Sequence, residues 1–216
     1  MFTGIVQGNF TIVSVEDKEQ LRTFVVELSK QLAEGLEIGS SVAIDGVCHT
    51  VVAIDGFKVT FDAMAETLMK TNIRDLKVGD TVNIERSAKM GDEIGGHIMS
   101  GHVSTTGIIL TVHNFENNHV IAIQVPPQFA KYIFNKGFVG VDGCSLTVTD
   151  YDRENSIFCV YLIPETLRVT GFAKKVAGDR VNIELDAQTQ TIVESVINFI
   201  KDSKEDAIWE KISDWF

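Results

Sequence analysis

The segment Asp45-Gly46-Val47-Cys48-His49-Thr50-Val51 recurs 97 residues later as Asp142-Gly143-Cys144-Ser145-Leu146-Thr147-Val148. The same offset sets Gly4 on Gly101 and Val6 on Val103. Glu66-Thr67-Leu68 returns as Glu165-Thr166-Leu167 with an offset of 99. Gly79-Asp80-Thr81-Val82-Asn83-Ile84-Glu85 returns as Gly178-Asp179-Arg180-Val181-Asn182-Ile183-Glu184, also at 99. The drift of two residues fits a small loop insertion. Solenoid repeats run to roughly 20–50 residues, so a unit this long is a domain. We read residues 1–97 and 98–187 as two similar domains and 188–216 as a tail. At their junction lies Gly95-Gly96-His97-Ile98-Met99-Ser100-Gly101-His102-Val103, with three glycines and two histidines among these residues.

Each half reads as about six short strands with turn signals every 8–12 residues, the spacing of a small sandwich or barrel. In the first half the strands fall at 2–15 with a break at Gly8, then 24–28, 40–44, 48–54, 58–63 and 81–86. Asp45-Gly46 and Asp55-Gly56 are the turns. Residues 31–36, 66–68 and 72–76 read as helical turns. The second half repeats the scheme at 103–112, 120–125, 140–141, 145–151, 156–163 and 180–185. The expectation is an all-β chain of two six-stranded antiparallel barrels in tandem, since closure removes exposed edges. The tail changes period. Ile192, Val193, Val196, Ile197 and Ile200 fall at helical spacing, as do Ile208, Ile212 and Trp215. Closed barrels leave little apolar surface for such a helix to cover, so it is expected to face another subunit.

Charge narrows the function classes. The chain carries 19 Lys and Arg against 30 Asp and Glu, a formal net charge of −11. Nucleic acid and anionic membrane surfaces want a basic face, so neither is an expected partner. The first residues have no basic region followed by an apolar run, and no stretch reaches the ~18 apolar residues of a membrane helix. Three cysteines make no disulfide framework. A reducing cytoplasm is the expected compartment.

No metal pattern is present: Cys48, Cys144 and Cys159 lack paired zinc spacing, and His97 and His102 have no partner motif. There is no glycine-rich phosphate loop and no Gly-x-Ser-x-Gly elbow. The pair of matched loops remains. Cys48 and Thr50 share one face of a strand, and so do Ser145 and Thr147 in the second copy. The repeat thus sets a thiol where its sibling has a hydroxyl. Taken singly, each of these residues is explained by packing or β-propensity. Together they point to two related ligands handled unequally.

Met1-Phe2-Thr3-Gly4-Ile5-Val6, Asp45-Gly46-Val47-Cys48, the Gly95–His102 stretch, Asp142-Gly143-Cys144-Ser145-Leu146-Thr147 and Leu162-Ile163-Pro164-Glu165-Thr166-Leu167 resemble riboflavin synthase of the alpha-chain type, over about residues 1–190. The resemblance implies two Greek-key barrels and a C-terminal helix that assembles a homotrimer. It implies dismutation of two 6,7-dimethyl-8-ribityllumazine molecules into riboflavin and 5-amino-6-(ribitylamino)uracil, without cofactor or metal. The site would lie between the first barrel of one subunit and the second of another. Carried onto this chain, the first-barrel ligand residues are Gly4, Ile5, Val6, Cys48, His49, Thr50, Asp62, Ala63, Met64, Ala65, Glu66 and Thr67. The second-barrel set is Gly101, His102, Val103, Lys136, Ser145, Leu146, Thr147, Ile163, Pro164, Glu165, Thr166, Leu167 and Arg168. Phe2, Cys48, His102, Ser145 and Asp186 match positions tied to activity. His49 departs from the family's usual apolar Leu, which the second copy keeps as Leu146. Two rivals stand beside this reading. One is a non-catalytic lumazine- or flavin-binding antenna protein of the same fold; the other is the flavin barrel of a reductase.

Overall fold

The computed structural model describes residues 1–115 and 118–205. Strands β1 (Gly8–Lys18), β2 (Leu21–Glu27), β3 (Ser41–Ile44), β4 (Val47–Asp55), β5 (Lys58–Met64) and β6 (Thr81–Arg86) close a barrel in the order β1-β2-β5-β4-β3-β6. Strands β7 (Thr105–Phe115), β8 (Asn118–Gln124), β9 (Phe138–Val141), β10 (Cys144–Asp152), β11 (Ile157–Leu162) and β12 (Arg180–Leu185) close a second barrel in the equivalent order. All pairings among the described residues are antiparallel, and closure leaves none of the described strands with an open edge. Short helices α1 (Lys30–Ala33), α2 (Ala65–Lys70) and α3 (Pro164–Val169) sit in the connections, and α4 (Ala187–Glu205) follows the last strand. The six strands expected in each half are thus found, and the bulge in β4 between Val51 and Ala53 recurs in β10 between Val148 and Asp150.

Each barrel has its own core. Ile12, Phe24, Val26, Val51, Val59, Phe61, Val82 and Ile84 fill the first; Ile109, Ile121, Ile123, Phe158, Val160, Val181 and Ile183 fill the second. These residues alternate with outward-facing ones, as closed antiparallel strands require. The segments outside the strands do not respect the boundary at 97. Val6 packs in the second barrel's core, and Val103 packs against the first. The expected strand from Phe2 begins only at Gly8. Phe2 instead pairs with Met99, its N–H donating to the Met99 carbonyl at 2.8 Å and its carbonyl accepting from the Met99 N–H at 2.9 Å. Two short segments, 1–6 and 99–103, therefore meet between the barrels, and each continues onto the other half's body.

The barrels join through their Asp-Gly turns, set back to back. Asp45 and Asp142 adopt positive φ of 44° and 42°, and Gly46 and Gly143 follow at 79° and 82°, the geometry of a two-residue hairpin turn. The turns touch so closely that a Cβ on Gly143 would lie 2.8 Å from the Gly46 nitrogen. Buried amides cross the junction: Asn83 Nδ2 donates to the Asp142 carbonyl and Asn182 Nδ2 to the Asp45 carbonyl, both at 2.9 Å.

The tail forms a helix where Ile192, Val193, Val196, Ile197 and Ile200 predict one; Ile208, Ile212 and Trp215 lie outside the described residues. Helix α4 is tied down by Glu194, which takes an ion pair from Lys131 at 2.6 Å and a hydrogen bond from the Tyr132 hydroxyl. Ile192, Val196 and Ile200 remain about half to two-thirds exposed at 65, 52 and 49%.

The junction makes a stability prediction. Gly143→Ala and Gly178→Ala both strain a positive φ, at +82° and +96°, but only the first also meets the opposite turn. Each should lose about 1–2 kcal/mol from strain, and Gly143→Ala a further ~1–3 kcal/mol from overpacking. Urea unfolding of the two variants checks the difference.

Candidate active site

The repeated Cys48 and Ser145 face outward from their barrels, because the residues beside them turn in. His49 and Val51 point into the first barrel, and Leu146 and Val148 into the second. Cys48 is half-buried and Thr50 exposed; Ser145 and Thr147 repeat that pattern. The shared face expected for each pair is therefore real, and it is the outer face.

A segment from elsewhere in the chain lies over each of them. The Gly101 carbonyl accepts the Cys48 N–H at 2.9 Å, and the Gly4 carbonyl accepts the Ser145 N–H at 2.9 Å. A Cβ on Gly101 would sit 2.6 Å from the Cys48 Cβ, and one on Gly4 would sit 2.4 Å from the Ser145 Cβ. With φ of +81° and +73°, glycine is required at both places. This corrects the grouping read from the sequence. Gly4, Ile5 and Val6 were expected beside Cys48 and lie beside Ser145. Gly101, His102 and Val103 were expected beside Ser145 and lie beside Cys48. The reason is the pairing of Phe2 with Met99, which sends each segment across to the opposite barrel.

The first pocket is a depression of about 230 Å³, lined by Val47, Cys48, Glu66, Thr67, Lys70, Thr71, Gly101, His102 and Val103. Helix α2 supplies its far wall, with Lys70 and Glu66 paired at 2.7 Å on the solvent side. Among the other residues proposed for this wall, Asp62 accepts the Thr23 hydroxyl at 2.7 Å, Ala63 is buried in the core, and Met64 is exposed at the end of β5. Lys70 and Thr71 were missed by the sequence reading; they fall one helical turn beyond the Glu66-Thr67 repeat, and that spacing was the available signal.

Beside Ser145, α3 takes the place that α2 has beside Cys48. Glu165 and Arg168 pair at 2.6 Å on its exposed side, Thr166 and Leu167 are half-buried, and Ile163 and Pro164 are exposed. Lys136 is exposed and lines a separate depression with Thr149, Asp150 and Tyr161. What distinguishes the Ser145 side is His97. Its Nδ1 lies 2.7 Å from the Ser145 hydroxyl, its backbone N–H donates to the same oxygen at 3.2 Å, and its ring stacks on Phe138 at 5.3 Å. Burial lowers the His97 pKa, with the nearby charges of Asp186 and Glu184 opposing. The ring is thus neutral near pH 7 and able to accept the hydroxyl proton. Asp186 caps α4, accepting the Thr189 N–H at 2.8 Å. Burial pushes its carboxyl up, but the Thr189 bonds and His97 together hold it below the ordinary range.

Phe2 is 2% exposed and packs with Ala43, Met99 and Cys48 between the barrels. It touches the back of the Cys48 wall, so its place is in holding the crossing segments. The other two thiols are poor reagents: burial pushes Cys144 up to about 12 and raises Cys159 as well. Two carboxylates hold the crossing segments from below. Buried Glu85 accepts from the Thr3 N–H at 2.6 Å and the Gly4 N–H at 3.2 Å; Glu184 accepts from the Ser100 N–H at 2.6 Å and the Gly101 N–H at 3.0 Å.

A match to the family described as "Lumazine binding domain" covers residues 3–87 and again 100–186. The chain belongs to the lumazine-binding family. It is 54% identical to the riboflavin synthase of Escherichia coli strain K12 over 197 residues, 91% of this chain and 92% of that protein. It is 45% identical to the riboflavin synthase of Buchnera aphidicola subsp. Schizaphis graminum, over 93% of this chain and 96% of that protein. Its fold is similar to solved structures of LumP complexed with riboflavin (TM-score 0.81) and with 6,7-dimethyl-8-(1'-D-ribityl) lumazine (TM-score 0.79). Both are 24% identical and cover 86% of this chain, with 100% and 99% of LumP matched. The two matched regions correspond to the two closed barrels; of the crossing segments, 1–6 opens the first region and 99–103 opens the second.

His49 carries a pH prediction. Its ring lies inside the first barrel, edge-on to Phe24 at 5.3 Å, with Nδ1 2.9 Å from the Val47 carbonyl and no hydrogen-bond partner at Nε2 among the described residues. It thus contacts the core and leaves any ligand contact to its backbone. Burial lowers its pKa from 6.5 to about 4. Between those values the unfolded chain binds the proton and the folded chain does not. Stability is therefore full above pH 6.5 and falls as pH drops toward 4, by on the order of 3 kcal/mol from this group. His49→Leu, which restores the pattern of Leu146, should flatten the loss between pH 7 and 5 in thermal unfolding.

Proposed function

We infer that this chain is an enzyme that forms riboflavin, by dismutation of two 6,7-dimethyl-8-ribityllumazine molecules. One molecule gives up a four-carbon unit and leaves as 5-amino-6-(ribitylamino)uracil. The other gains the unit and becomes riboflavin. The observation that carries the reading is the 54% identity to a riboflavin synthase across nine-tenths of the chain. Supporting it are two related outer faces that bear different nucleophiles, Cys48 over a pocket and Ser145 against His97. The exchange is balanced between the two substrates, so no cofactor is called for.

The chemistry asks little of the protein beyond placement. One lumazine must lose a proton from its 7-methyl group, and the ring itself delocalises the resulting carbanion. The other must accept a nucleophile at ring carbon 7. Holding two rings in register and excluding water supplies much of the acceleration. Ser145 has the arrangement of an activated nucleophile, with a neutral imidazole nitrogen 2.7 Å from its hydroxyl and the carboxylate of Asp186 nearby. In the other pocket, Cys48 and His102 face the same depression. A non-catalytic antenna protein has no need of the Ser145–His97 pair, which favours the enzyme.

The first pocket, at about 230 Å³, is smaller than the roughly 300–1,000 Å³ of a complete ligand site. We propose that it forms one wall of a site completed by the second barrel of another subunit in a homotrimer. The exposed stripe of Ile192, Val196 and Ile200 on α4 is the face that would assemble it. Truncation after Asp186 should shift sedimentation to smaller species and cut turnover. A truncated chain that still sediments as a trimer contradicts the proposal.

The direct test of the activity is to add 6,7-dimethyl-8-ribityllumazine and follow riboflavin fluorescence. Cys48→Ser and Ser145→Cys are expected to lower turnover unequally while leaving ligand titrations nearly unchanged, because the two substrates play different parts. A tenfold loss in kcat corresponds to about 1.4 kcal/mol of transition-state stabilisation. If both variants turn over like the parent, the thiol and hydroxyl serve packing alone.

A further inference from the structure

The repeated Asn83-Ile84-Glu85 and Asn182-Ile183-Glu184 have no part in the chemistry above, although both carboxylates bond directly to the first residue of a ligand loop, Gly4 or Gly101. Glu85 is 3% exposed and Glu184 6% exposed. A carboxylate so buried needs donors on its oxygens. The donors are the same three in each half. The Thr3 N–H and hydroxyl reach one Glu85 oxygen at 2.6 and 2.8 Å, and the Gly4 N–H reaches the other at 3.2 Å. The Ser100 N–H and hydroxyl reach one Glu184 oxygen at 2.6 and 2.8 Å, and the Gly101 N–H reaches the other at 3.0 Å. The hydroxyls then turn the next residue: Ile5 N–H donates to Thr3 Oγ1 at 3.2 Å, and His102 N–H to Ser100 Oγ at 3.0 Å.

The connectivity crosses the molecule. Glu184 stands on β12 of the second barrel, yet the segment it grips carries the carbonyl that holds Cys48 of the first. Glu85 stands on β6 of the first barrel, yet its segment carries the carbonyl that holds Ser145 of the second. Each barrel thus uses a buried carboxylate to aim the strap that finishes its neighbour's pocket. We propose that Glu85 and Glu184 are positioning residues acting on the opposite pocket: Glu184 places Gly101–His102 over Cys48, and Glu85 places Gly4–Ile5 over Ser145. Charge-assisted bonds to backbone N–H groups are short and directional, which suits a strap only a few residues long. The proposal rests on the reading of these pockets as the riboflavin-forming site for its catalytic meaning, but not for its geometry.

Glutamine separates this role from plain core stability. Glu184→Gln keeps shape and volume, and its amide oxygen can still accept from Ser100. Its NH2 then faces the Gly101 N–H, donor against donor. In the full chain, amide hydrogen exchange at Cys48 should quicken by about tenfold, the loss of one charge-assisted hydrogen bond, while exchange at Ser145 stays near the parent's. Alkylation of Cys48 by iodoacetamide, mapped by peptide mass, should quicken in parallel. Glu85→Gln should do the reverse, loosening the Ser145 amide and leaving Cys48 alkylation near the parent rate. Ser100→Ala, which keeps the carboxylate but removes the hydroxyl's bonds to Glu184 and from the His102 N–H, should loosen Cys48 in the same direction, and serves if Glu184→Gln folds poorly. Loosening of the pocket on the variant's own barrel, equal loosening of both, or no change in either overturns the proposal. Parent protein that forms no riboflavin would sink the functional reading instead, and the exchange pattern would still decide the role of the two carboxylates.

Discussion

The docking of the two barrels depends on how two buried carboxylates share the junction between them. Asp45 and Asp142 face each other across the back-to-back turns, 5% and 0% exposed. Two like charges in a low dielectric repel strongly. Burial, and then the charge of Asp142, pushes the Asp45 carboxyl above its ordinary range; Lys175 opposes. Lys175 pairs with Asp142 at 3.0 Å. Burial works against the Lys175 charge, but the two carboxylates outweigh it and raise its pKa. Each carboxylate also accepts a backbone N–H, Asp45 from Asn83 at 2.8 Å and Asp142 from Asn182 at 2.7 Å. A network this well satisfied specifies a single docking geometry, where an apolar seam of similar area would tolerate sliding.

That docking geometry in turn sets the straps. With the turns docked in this way, Phe2 lies opposite Met99, and residues 1–6 and 99–103 reach across. The near two-fold arrangement is broken where function needs it. Lys175 stands where the first copy has Leu76, and the junction gains its counter-charge. Ser145 stands where the first copy has Cys48, and only Ser145 has a histidine from the junction stretch, His97, on its hydroxyl. One repeat has become a pair of pockets with different chemistry.

Much of this was legible in the sequence. The repeat itself, the strand count, the turns at Asp45-Gly46 and Asp142-Gly143, and the single face shared by Cys48 and Thr50 all follow from local chemistry and a period of two. The crossing was not legible, because Gly4 and Gly101 are equivalent positions and a repeat cannot say which copy an exchanged segment completes. That information lies in a two-residue bridge between Phe2 and Met99, too short to leave a pattern. His49 was readable as a departure, but its burial against Phe24 and Phe61 depends on which face of β4 turns inward. His97 stood out among the junction residues, while its target, Ser145, lies 48 residues away and is brought there only by the closed second barrel.

The Cys48 and Ser145 faces are each completed by a segment from the other half of the chain. A crystal structure of the full protein with riboflavin bound tests it most directly. The ligand lying against Cys48 is expected also to touch Gly101, His102 or Val103 of the same chain, and a ligand against Ser145 to touch Gly4, Ile5 or Val6. A ligand held between Cys48 and Gly4–Val6, with Gly101–Val103 gathered instead around Ser145, would contradict it.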